Sequence, residues 1–208
     1  MKHLKSIIIG IVLVAMLSPT LFAQSFRIIP FAGLSKDMRS GTNMWNMGFT
    51  LGAQGFAAVS PDFWIGGRIA LHSWGSDGQG WFEDLYGSPY VFSSASGSQT
   101  VFEIMPSIRY LFTHSEGGVN VAGQAGLGLI FVGGSDVTVN VSWHTTYSSG
   151  TGAMTLSSEG MMGFGLQLGV PVTVAKIVEI MPIYTLYLAG GDLYHHIALN
   201  VGVRLGKQ

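Results

Sequence analysis

With 208 residues the chain has the length of one domain, and only 10% of them are charged, against about 25% in an ordinary soluble domain. A net charge of −1 offers no basic field for nucleic acid, and the lack of cysteine excludes disulfides, thiolate nucleophiles and cysteine-type zinc sites. Thirty glycines and a mean hydropathy of +0.41 predict an exterior that mostly faces something other than water.

At the N-terminus, Lys2, His3 and Lys5 form a basic start, and residues 7–17 are an apolar core broken only by Gly10. Ser18-Pro19-Thr20 then leads to Leu21-Phe22-Ala23. This is the three-part pattern of a secretory signal peptide, residues 1–23, cut after Ala23 to leave residues 24–208. Its core is shorter than the roughly 20 residues a spanning helix needs, and no long apolar run follows it.

Eight segments with strand character follow in order. The first covers residues 25–34, and a polar loop from Ser35 to Gly41 leads to the second, 44–58. There Trp45, Met47, Phe49, Leu51, Ala53 and Ala57 oppose Asn46, Thr50 and Gln54. Ser60-Pro61-Asp62 is a tight turn into the third, 63–74, which sets Phe63, Ile65, Ile69 and Leu71 against Trp64, Arg68 and His72. A long Gly/Ser/aromatic loop fills 75–99 before the fourth segment, 100–112. The fifth, 119–132, leads through Gly133-Gly134-Ser135 into renewed alternation at Val137, Val139, Val141 and Trp143, which reverses near 148–152. That reversal predicts that strands five and six continue past the membrane as one hairpin. The sixth returns through Met162 to Val172, the seventh covers 177–188, and Gly190-Gly191-Asp192 turns into the eighth, 194–205.

The fourth segment shows the pattern best. Phe102, Ile104, Pro106, Ile108, Tyr110 and Phe112 share one apolar side, while Glu103 and Arg109 lie on the other. Its E-I-M-P word, Glu103–Pro106, recurs at Glu179–Pro182, and a looser version ends at Pro30, which links the segments as members of one closed sheet. Long connections fall after odd segments and short turns after even ones. An up-and-down barrel with both ends on one side gives that asymmetry, with loops outside and turns in the periplasm. An arginine facing mid-bilayer lipid costs about 2–4 kcal/mol; Arg68, Arg109 and Arg204 share the polar side with Glu103 and Glu179, and Arg27 joins them if the first strand keeps the Pro30 register. The polar side is therefore expected to be the lumen. There these six form one charge network, with Gln54, Gln124 and Gln167 satisfying what remains. Trp45, Phe131 and Phe164 are expected outward near the loop end, and Phe63, Tyr110 and Phe112 outward near the turn end.

No arrangement in the sequence calls for catalysis, a metal or a cofactor. His72 and Ser73 are adjacent in a strand and point to opposite faces, and His114, Ser115 and Glu116 occupy a short turn. Asp192, His195 and His196 could hold a metal at the loop rim, but with no helical histidine spacing and no cysteine partner they read as polar loop residues. Trp81, Phe82, Tyr86, Tyr90 and Phe92, set among glycines, are the candidate surface for an extracellular contact, with an inward-folded lid as the alternative.

The Pro30–Leu34 segment P-F-A-G-L, the alternating strands and the terminal I-A-L-N-V-G-V-R-L of residues 197–205 resemble the small eight-stranded outer-membrane barrels of the OmpA/OmpX/OmpW type. The resemblance implies an all-β, eight-stranded, antiparallel, up-and-down transmembrane barrel in the bacterial outer membrane. It also implies a monomer in contact with membrane lipids, with roles in envelope integrity, surface contact or restricted passage of small solutes. Two alternatives stand beside it. A soluble lipocalin-like barrel needs apolar residues inside and charges outside; a lipid-A-modifying barrel enzyme needs Ser73 or Ser115 as nucleophile.

Overall fold

A computed structural model describes residues 25–38, 45–76, 90–113 and 118–206. The signal-peptide expectation, Trp81, Phe82, Tyr86 and the His114-Ser115-Glu116 turn lie outside the described residues.

Eight strand positions make the wall: β1 (Phe26–Asp37), β2 (Gly48–Ala58), β3 (Phe63–Gly75), β5 (Ser98–Leu111), β6 (Asn120–Val132), β9 (Met161–Gly169) with its continuation β10 (Val172–Val174), β11 (Val178–Ala189) and β12 (Asp192–Val203). Each pairs antiparallel with the next, and β12 pairs back onto β1, so the sheet closes. Closure leaves no strand edge to be satisfied by solvent. Among the described residues, three further strands lie beyond the loop end: β4 (Tyr90–Ser96), β7 (Ser135–His144) and β8 (Ser149–Ser158) form a separate sheet in the order β4-β7-β8.

The eight predicted segments match the wall strands with small shifts at their ends. The ends nearest the loops shift most, because exposed loop chemistry blurs the alternation there. Two differences are larger. β4 lies in the stretch read as loop, where serine and glycine hide the pattern. The expected hairpin beyond β6 is present, β7 turning back as β8, but the chain leaves the barrel sheet at Gly133-Gly134, and among the described residues the hairpin pairs with β4 in a separate sheet. The return strand is also broken, with Val170 and Pro171 separating β9 from β10.

Three of the seven prolines lie within wall strands, and the ladders explain them. Pro30, Pro106 and Pro182 all point outward. Pairing of β1 with β12 begins only at Phe31, β5–β6 pairing skips Met105 and Pro106 without changing register, and β11–β9 pairing begins at Ile183. Each proline therefore sits where one of its two ladders stops or lapses, while the ladder on its other side continues.

Two tight turns show contrasting chemistry. Gly190 and Gly191 both take positive φ between β11 and β12, as a primed hairpin turn requires. At the opposite end Ala175 (φ 51°) and Lys176 (φ 65°) adopt the same left-handed region without glycine.

Trp45 corrects an expectation. It is buried, not outward, because β2 begins only at Gly48 and the chain before it turns inward, held by a bridge to Ser76. There it joins Trp74, Val101, Met105, Ile130, Tyr187 and the cap residues Val137 and Val139 in one apolar cluster. That cluster runs from the upper lumen into the three-stranded sheet.

Candidate functional site

Period-two alternation in the wall strands sends every second side chain inward, and the inward set holds two ionic centres at different heights. The lower one surrounds Glu179 on β11. Arg109 of β5 grips its carboxylate with two parallel bonds, Nη1 to Oε2 at 2.9 Å and Nη2 to Oε1 at 2.8 Å. Arg204, just past β12, donates from Nε to Oε2 at 2.9 Å and holds Nη2 at 2.9 Å from the same oxygen as an ion pair. Gln54 of β2 adds a bond to Oε1 at 2.9 Å, and Gln124 of β6 accepts from Arg109 at 2.8 Å. The Arg109 guanidinium also lies 4.3 Å from the Phe56 ring centroid, and Arg27 lies 4.1 Å from that of Trp64. Bidentate pairing and stacking on aromatic faces are properties of arginine rather than lysine.

The upper centre surrounds Glu103 on β5. Its Oε2 takes a bond from Arg68 of β3 and another from Gln167 of β9 at 3.3 Å. Its Oε1 faces two imidazoles, His196 Nε2 at 3.1 Å and His72 Nε2 at 3.4 Å. Thr50 Oγ1 holds His72 Nδ1 at 2.7 Å. Above, Trp74 stacks on His72 with an interplanar angle of 16°. Arg68 lies 4.7 Å from the Phe31 ring centroid, which anchors it from the other side. Every one of these polar side chains is buried.

The outer wall has the opposite composition. Leu34, Phe49, Leu51, Ile65, Ile69, Ile108, Leu127, Leu166, Leu168, Val201 and Val203 are all exposed, and so are Ile104 at 40% and Leu199 at 53%. Arg109, one residue from Ile108, is 3% exposed. Apolar side chains face out around the whole circumference of the wall while Arg68, Glu103, Arg109 and Glu179 are enclosed, an arrangement stable only in hydrocarbon. The chain is a membrane-spanning β-barrel. A depression of about 910 Å³ lies among outward side chains such as Ile108, Leu168 and Leu199, so it belongs to the acyl-chain face of the barrel.

No family model matches the barrel, and no curated protein matches it in sequence. Among solved structures it is similar to Ail, the attachment invasion locus protein of Yersinia pestis, at 12% identity and a TM-score of 0.44 over 87% of this chain and 97% of that one. It is similar to Neisserial surface protein A at 16% identity and a TM-score of 0.45, over 86% and 96% of the two chains. A major outer membrane protein from Thermus thermophilus aligns at 12% identity and a TM-score of 0.43, over 88% and 99%. The architecture rests on the strand pairings and the composition of the two faces.

The single network expected from the sequence is divided. Arg68 goes with Glu103, whereas Arg109 and Arg204 go with Glu179. Arg27 stacks on Trp64 at the turn end. The division follows strand position, since Glu103 lies in the upper half of descending β5 and Glu179 at the foot of ascending β11. Of the aromatic loop set, Tyr90 enters β4 opposite Trp143, and Phe92 packs partly buried against the apolar cluster under the cap. His195 and His196 separate as strand neighbours must: His196 points inward, while His195 lies near Tyr184 Oη at 3.2 Å. Asp192 accepts from Tyr194 Oη at 3.3 Å.

His72, His196 and Thr50 are the members of the upper centre that charge counting overlooked. The signal was available, because His72 has the parity of Arg68 and His196 that of Arg204.

Proposed function

We propose that the chain is a non-enzymatic, monomeric protein of the bacterial outer membrane that closes its own lumen and works through its loop end. The carrying observation is the continuous filling of the barrel, from Trp64 and the Glu179 centre, through the Glu103 centre, to Trp74, Trp45 and the cap sheet. An eight-stranded barrel has just enough interior for such side chains. Its contribution to the envelope is then mechanical and at the surface, with β4, β7 and β8 as an ordered platform rather than loose loops.

Asp136, Asn140 and His144 on β7 are exposed and alternate with the buried Val137 and Val139, so the sheet offers a polar face outward and an apolar face to the barrel. That polar face is where an extracellular partner or neighbouring envelope component is met. Restricted solute passage is the weaker reading, since the charged pairs and the Trp45–Trp74 cluster occupy the route. A soluble lipocalin-like protein requires the reverse distribution of Ile104, Leu199 and Arg109.

Conductance tests the closed lumen. Protein reconstituted in planar bilayers is expected to give no stable current steps, and a steady open current from the unaltered chain refutes the reading.

A further inference from the structure

The upper centre contains three donor atoms whose arrangement the ion pairing leaves unexplained. Glu103 Oε2 is occupied by Arg68 and Gln167, but Oε1 has no hydrogen-bond partner among the described residues. The Nε2 atoms of His72 and His196 have none either, although they lie 3.4 and 3.1 Å from that oxygen, because neither is aligned for a hydrogen bond. All three side chains are 0% exposed. One ligand atom from each of the three residues lies within 4.8 Å of the others. Burying three polar atoms face to face without aligned hydrogen bonds costs free energy that a shared ion would offset.

We propose that His72, His196 and Glu103 form a lumenal binding site for a first-row divalent cation of the zinc type. Donor atoms around a tetrahedral ion with bonds of about 2.0–2.1 Å are about 3.3–3.4 Å apart, close to the two His–Glu separations here. Two imidazoles and a carboxylate are a borderline-soft set suited to Zn²⁺, Co²⁺ or Ni²⁺ rather than Ca²⁺ or Mg²⁺.

The surroundings fit a ligand shell. Thr50 at His72 Nδ1 orients the ring, and an Nδ1 proton donated to Oγ1 leaves the Nε2 lone pair pointing inward. Arg68 and Gln167 fix the carboxylate so that one oxygen remains directed at both rings. Trp74 packs against both imidazoles, each at 5.6 Å between centroids, and Tyr187 closes the side of His196 at 5.9 Å. Charge is manageable as well. Asp37 is buried directly opposite His196 in the β1–β12 register, so a dication shares the layer with two carboxylates and one guanidinium. Three protein donors leave one position of a four-coordinate shell for a small exogenous ligand.

The test uses the full chain, unfolded in urea with chelator, then refolded in detergent with Co²⁺ as a visible probe or with Zn²⁺ for stoichiometry. The expected result is one tightly held ion per barrel and the intense d–d absorption of a low-coordinate cobalt site. His72→Gln and His196→Gln should each weaken binding at least tenfold, while His195→Gln, on the outer side of the same strand, leaves it unchanged. Equal binding by wild type and the His72→Gln/His196→Gln double variant overturns the proposal. If either variant fails to regain the heat-modifiable folded band, the wild-type cobalt spectrum decides: the weak absorption of the aquo ion overturns the site, and the intense low-coordinate spectrum supports it.

Discussion

Removing the charge from Glu179 gives the sharpest energetic consequence of this architecture. Glu179→Gln keeps the side-chain outline but strands two arginines, Arg109 with both of its terminal nitrogens on this carboxylate and Arg204 with Nε and Nη2. Breaking a buried pair by deleting one partner costs about 3–5 kcal/mol, because the remaining charge is desolvated and uncompensated. The converse substitution is milder. In Arg109→Gln, Glu179 still has Arg204 and Gln54, so the loss is that of charge-assisted bonds, about 1.5–3 kcal/mol. Glu179→Gln is therefore expected to be the worse of the two by about 1–2 kcal/mol. Equilibrium urea unfolding in phospholipid vesicles measures both, with tryptophan fluorescence and gel mobility as independent signals. The difference should persist at high salt, since neither pair is open to screening ions. A loss below about 1 kcal/mol for Glu179→Gln, or a larger loss for Arg109→Gln, refutes the reasoning.

Three other outcomes follow from particular contacts. Leu199→Arg, on the outer wall, should lower stability in vesicles by about 2–4 kcal/mol, measured by the same unfolding assay. A Cβ on Gly165 meets Ile130 Cδ1 at 2.5 Å and Met105 Cε at 2.6 Å, both tips of flexible side chains that can give way, so Gly165→Ala should cost about 1 kcal/mol, the low end of the overpacking range. The pair Gly165→Ala with Met105→Ala should then lose less than the two single changes together, as a double-mutant cycle reads directly. At the turn end, replacing Ala175 by Asn and Lys176 by Gly relieves two left-handed non-glycine residues and should raise stability by roughly 1–2 kcal/mol in the urea assay.

The barrel wall was legible because its two faces differ in every strand. Arg68, Glu103 and Arg109 each stand between apolar neighbours, and one parity choice places all of them inside. Proline served as a further mark once its position was read as a lapse in one ladder. The loop end was less legible, for two physical reasons. β4 is built around Phe92-Ser93-Ser94-Ala95, whose small polar residues carry little alternation, and it is held by pairing with β7 more than 40 residues away. Trp45 fits the outward parity of β2 by counting, yet the strand has not begun there, so the count does not apply. The Glu103 centre was half legible. Its charges could be found by sign, but neutral imidazoles carry no sign, and the meeting of His72 with His196 depends on how β3 and β12 are brought round the closed sheet.

Alternate residues of one wall strand contact hydrocarbon and lumen in turn, and spin labels test this directly. The chain has no cysteine of its own, so single replacements can each carry one label. Labels at Ile104→Cys and Leu199→Cys, in barrels reconstituted into bilayers, should collide freely with oxygen dissolved in the lipid and be shielded from a water-soluble nickel chelate. Labels at Gln54→Cys and Asn200→Cys should be immobilised and reached poorly by oxygen. Collision with the nickel chelate at 104 and 199, with oxygen reaching 54 and 200 instead, would contradict the account.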